Sequence, residues 1–166
     1  ARRMDKLVPS CRELPSWVMD RLNQLLARFE RQHDAGPVLR WTGVRPDGRD
    51  SKLPHLLVEK IGYGEAAGDW EPEEISREEA AGQLAFLALE SLAYGSYGPP
   101  RRSLKDMALE ALGDLGPEAR FYVNGWLRKP DEKGMWWTGL STATFDAGVL
   151  GFDDRNAFVF WIEEED

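Results

Sequence analysis

The chain has 166 residues with an ordinary apolar share of 42%, seven Trp, a single Cys and a formal net charge of −8. That length suits one domain with a core of its own. The absence of any run of about 18 apolar residues excludes a membrane-spanning helix, the lone Cys11 excludes an internal disulfide and favours a reducing, cytosolic setting, and the acidic excess argues against nucleic acid or anionic membrane as partners.

The N-terminal "ARRMDKLVPS" is basic without an apolar stretch behind it, so it does not read as a secretory signal. Met4 is the expected native start, and residues 1–166 read as one domain whose first nine residues are expected to be disordered. Charge is unevenly spread. Residues 1–53 hold 11 Lys/Arg against 7 Asp/Glu, whereas residues 54–166 hold 10 against 22. The acid gathers at 65–79 and at the C-terminus.

In chain order, Ser10 and Glu13 stand at capping-box spacing ahead of Pro15, and Val18, Leu22, Leu25 and Phe29 follow at helical intervals. This predicts an amphipathic helix over roughly 15–32, stopped by Gly36 and Pro37. "PVLRWTGV" and "HLLVEKIGY" are apolar runs separated by "RPDGRDSKLP", whose Pro46, Asp47 and Gly48 are turn formers. They read as two strands of a hairpin, with Leu57, Ile61 and Tyr63 on one face. An acidic loop, "GYGEAAGDWEPEEIS", comes next. It lacks the following helix that a phosphate-binding loop needs, and Glu65 and Asp69 would oppose a phosphate. Ser76 and Glu79 form a second capping box and open a helix over 77–94. Leu84, Leu87, Ala88 and Leu92 make its stripe, and Ala81, Ala85, Phe86 and Leu89 widen it, as expected of the helix most deeply packed on a sheet. After the turn "GSYGPPRRS", a looser Ser103–Asp106 cap opens a short helix with Leu104, Met107, Ala108 and Leu112.

Beyond Ala119 the runs "RFYVNGWLR", "GMWWTGLST", "TFDAGVLGF" and "AFVFWIE" are joined by short polar separators. Such separators are too short for parallel connections and predict an antiparallel meander of four strands. In the last run both alternating sets, Ala157/Val159/Trp161 and Phe158/Phe160/Ile162, are apolar, which places that strand inside the sheet. The expected fold is α+β: a single domain, an antiparallel sheet with a C-terminal four-strand meander, and about three packed helices.

The chemistry-bearing residues form no recognised catalytic motif. His33 and His55 lack metal-ligand spacing and read as structural. Asp146, Asp153 and Asp154 miss the calcium-loop pattern, and 153–156 is simply a hairpin turn. Glu59 is the one carboxylate in an apolar setting that could serve as a general acid, although an ion pair with Lys60 or Arg40 across the hairpin is the better account of it. No metal or cofactor is expected. What stands out is acid in aromatic company. Trp70, Glu71, Glu73, Glu74, Tyr94, Tyr97, Trp136, Trp137, Glu163, Glu164 and Glu165 are the candidate partner-binding residues. Trp136 and Trp137, adjacent in one strand, must face opposite sides. Glu163 to Asp166 are expected to emerge from the last strand as an acidic rim in water.

The function favoured on this basis is a cytoplasmic protein-binding module engaging a basic protein surface. In size, charge and lack of catalytic motif the chain is similar to bacterial immunity proteins, which neutralise a cognate toxin. A small enzyme working through Asp/Glu carboxylates, and a subunit of a larger assembly, are the alternatives.

Overall fold

The computed structural model describes residues 19–64, 67–89, 102–126 and 136–165. The first helix, α1, runs Asp20–Gln32 and buries Leu22, Leu25, Leu26 and Phe29, the stripe its sequence carries. The Ser10–Glu13 cap and Pro15 lie outside the described residues. No side chain of its own caps α1. Asp114 does so from a distant loop, accepting from Leu22 N at 3.0 Å and from Arg21 Nε at 2.8 Å.

Strand β1 (Val38–Val44) follows, but its expected hairpin partner is a helix. Residues Leu53–Glu59 form α2, entered through a single 3₁₀ turn at Asp50–Lys52. Pro54 sits in the first turn, where a missing N–H costs nothing. Leu53, Leu57 and Val58 are buried while Glu59 and Lys60 are exposed. The spacing from Leu57 to Ile61 that suggested one face of a strand is also one turn of a helix. Glu59 therefore stands on an exposed helix end.

A short strand β2 (Glu73–Ile75) leads into α3 (Arg77–Leu89). The second capping box forms as expected: Ser76 N donates to Glu79 Oε2 at 2.7 Å, and Glu79 N donates to Ser76 Oγ at 3.1 Å. Ala80, Ala81, Leu84, Ala85, Phe86, Leu87 and Ala88 are all buried. Leu92 lies outside the described residues. Helix α4 spans Arg102–Leu112, so Ser103 sits within its first turn rather than ahead of it. The last strands are β3 (Arg120–Val123), β4 (Gly125–Trp126), β5 (Trp136–Trp137), β6 (Phe145–Phe152) and β7 (Asn156–Glu164).

The fold is α+β, and every strand pair is antiparallel. Five strands form one sheet in the order β1-β7-β6-β3-β2, while β4 and β5 leave it as a separate two-stranded ribbon. The C-terminal meander is thus present, with β3 pairing β6 directly and the ribbon looping out between them. Strand β7 lies between β1 and β6, interior as its two apolar faces require. Phe158, Phe160 and Ile162 meet α1, α3 and α4 on one side. Val159 and Trp161 meet α2, Tyr63 and Trp70 on the other. The β6–β7 turn is closed by Asp153, whose Oδ1 accepts from Arg155 N and Asn156 N, each at 2.7 Å.

Candidate protein-binding surface

The strand registers bring the candidate residues to one end of the sheet. Phe145 at the start of β6 pairs with Glu164 at the end of β7, and Val123 at the end of β3 pairs with Glu73 at the start of β2. The β4–β5 ribbon continues from the same end of β3, and Gly125 pairs with Trp137. Glu71 and Glu73 therefore form one margin, Glu163 and Glu165 the other, with Trp137 between. Across the sheet Glu73 is level with Val123, Val149 and Phe160, so Glu165 stands three strand spacings aside and five residues further along, about 14 Å by about 17 Å. The resulting span of about 22 Å fits within one standard protein interface.

Trp70, expected on this surface, is in the core at 4% exposure. Its ring meets Trp161 edge-on at 6.0 Å, and its carbonyl O lies 2.9 Å from His55 Nε2. It pins the acidic loop from beneath and leaves Glu71 exposed above. Glu74 is partly exposed, but Arg120 takes both its oxygens at 3.0 and 2.7 Å. These hydrogen bonds hold its carboxyl below the ordinary glutamate range. Arg120 also reaches Asp50, which in turn bonds Arg45 at 2.6 Å. Glu74 thus belongs to an ion-pair network on the sheet's flank.

The expected rim of free carboxylates is corrected as well. Strand β7 runs on through Glu164, and alternation carries that residue onto the same face as Phe160 and Ile162. Glu164 is 2% exposed, with Oε1 3.6 Å from Nε2 of His33, itself buried at the end of α1. Glu163 faces the opposite side, half-buried, and accepts the hydroxyl of Tyr63. Burial first, and then this carboxylate, raise the Tyr63 pKa. Only Glu165 of the three is exposed, accepting from Thr144 Oγ1 at 2.9 Å. Trp137 is half-buried against Phe145, ring centroids 5.3 Å apart. Tyr94, Tyr97 and the side chain of Trp136 lie outside the described residues.

Beneath this surface sits a polar cluster that motif reading passed over. Asp146 is fully buried in β6. Its carboxylate accepts from Leu140 N at 2.9 Å, Ser141 N and Oγ at 3.0 Å, Trp161 Nε1 at 3.0 Å and Asn124 Nδ2 at 3.2 Å. Asn124 also donates to Thr138 O and accepts from Gly148 N. This cage ties residues 138–141, next to Trp137, to β6, to β7 and to Asn124 in the link between β3 and β4. The sequence signal was a lone carboxylate inside the apolar run "TFDAGVLGF". With every oxygen occupied by donors, Asp146 is built to hold a loop.

No family model matches the chain, and neither a curated protein nor a solved structure matches it. No helix among the described residues is long and apolar enough to cross a membrane.

Proposed function

We propose that the chain is a protein-binding module whose acidic sheet end engages a basic surface of a partner, in the manner of an immunity protein neutralising a toxin. The observation that carries this reading is the gathering of Glu71, Glu73, Glu165 and Trp137, remote in sequence, at one end of the sheet. The carboxylates supply long-range attraction for a cationic cleft, and a half-buried indole beside them supplies apolar contact. The Asp146 cage and the Trp70 anchor hold both margins rigid, which lowers the entropy lost on binding.

The test begins with capture of the partner from the native source and its identification. Association of the purified pair is then followed at low and high salt for the wild type and a Glu71→Gln/Glu73→Gln/Glu165→Gln variant. The variant should associate at least about tenfold more slowly at low salt, with a flatter salt dependence and little change in dissociation. Equal association rates would remove the acidic end from the interface.

A further inference from the structure

The two edges of the sheet are unlike. The β2 edge is three residues long, preceded by Pro72 and carrying Glu73 and Glu74, features that deter strand addition. The β1 edge is seven residues long, holds no proline and has Arg40 as its one charge. No strand lies outside it among the described residues.

The ladder shows which backbone groups face outward. Pro37 O accepts from Glu163 N at 3.0 Å, and Arg45 N donates to Arg155 O at 2.8 Å. In an antiparallel pair such bonding recurs at every second residue, so Leu39, Trp41 and Gly43 face β7. Val38, Arg40, Thr42 and Val44 direct their N–H and C=O away from the sheet. Val44 is also the exposed large apolar side chain among the described residues, at 66%.

From this edge we infer that the protein forms a two-fold dimer by antiparallel pairing of β1 with β1 of a second copy, centred on Trp41. That register sets Val38 opposite Val44 of the other copy and Arg40 opposite Thr42, so all four outward residues of each strand are bonded. A shift one way puts Arg40 opposite Arg40. A shift the other way leaves Val38 facing Pro46, which has no N–H to give. On the chosen register Val44 enters the groove of about 490 Å³ that runs along the first half of β1, lined by Glu30, Val38, Leu39, Arg40, Lys60 and Ile61. Within the groove Arg40 is paired with Glu30, and the Lys60 ammonium is drawn over the Trp41 ring. The Trp41 ring leaves the edge clear: it lies back over Gly43, where an added Cβ would stand 2.6 Å from it, and Lys60 covers it at 5.4 Å. The acidic β2 edge is four strand spacings away, about 19 Å, so the β2 edges of the two copies lie at opposite extremes.

Sedimentation equilibrium of the full chain, from low micromolar to several hundred micromolar, tests this. The mass should rise from 18.8 kDa toward twice that value. Val44→Pro deletes one outward N–H per copy, spares every bond to β7 and follows a glycine that tolerates the constraint. It should weaken the dimer at least about tenfold while the circular dichroism and urea midpoint of the dilute protein stay unchanged. Val44→Lys, which charges the same contact without touching the backbone, should act alike. A wild type that stays monomeric overturns the proposal, as does a dimer that survives both substitutions.

Discussion

The indole Nε1 of Trp161 donates to Oδ1 of Asp146 at 3.0 Å, across the diagonal of adjacent strands β6 and β7. Both partners are fully buried. Among the described residues, the bond joins the largest fully buried side chain to the carboxylate that also holds the 138–141 segment. Replacing Asp146 by Ala removes the carboxylate that accepts from the indole and from the Leu140 and Ser141 N–H groups. A loss of about 3 kcal/mol or more is expected, read as a lower urea midpoint. A loss below about 1 kcal/mol would show that water takes over these bonds at little cost.

Gly148 lies directly across from Trp161 in the ladder. A Cβ built there overlaps the indole ring and stands 2.6 Å from Phe160 O. Gly148→Ala should therefore cost about 1–3 kcal/mol by overpacking and shift the tryptophan emission. Unchanged emission and stability would mean that the ring can slide aside.

Tyr63 gives an alkaline prediction. Its raised pKa reflects burial and then the Glu163 bond. The contribution is complete below the unfolded tyrosine value near 10, and it declines as the pH rises from there toward the folded value, because the unfolded chain ionises first. Tyr63→Phe should lose about 1 kcal/mol at neutral pH and then show a shallower fall above about pH 10. Urea midpoints across that range decide it, and identical slopes would contradict the buried phenol.

Glu74 gives an acid prediction of opposite sign. Its depressed pKa, due first to the Arg120 hydrogen bonds, stabilises the fold above the unfolded glutamate value and loses that effect as the pH falls through the folded one. Both side chains are 40–49% exposed, so solvent screening keeps the contribution under about 1 kcal/mol. Glu74→Gln should be slightly less stable than the wild type at neutral pH and equal to it once Glu74 is protonated. A difference that persists in acid would assign the effect to packing.

Local periodicity was enough for α1, α3 and the two-faced interior strand β7, because each pattern admits one period. The Ser76–Glu79 box marked a helix start since both bonds close within four residues. Where a short run fits two periods, as in "HLLVEKIGY", propensity does not choose. Helix α2 forms because Leu53, Leu57 and Val58 have the second face of the sheet to cover, a demand that comes from β6 and β7 far along the chain. The same limit governed the candidate surface. Composition alone showed acid beside aromatics, but burial is decided by nonlocal pairing. Alternation along β7 turned Glu164 inward and Glu163 toward Tyr63, and packing on Trp161 took Trp70 into the core. Asp146 reads as one more acid in the sequence; it becomes the anchor of a loop only when Asn124, Ser141 and Trp161 converge on it, since a buried carboxylate is stable only where donors from several elements meet.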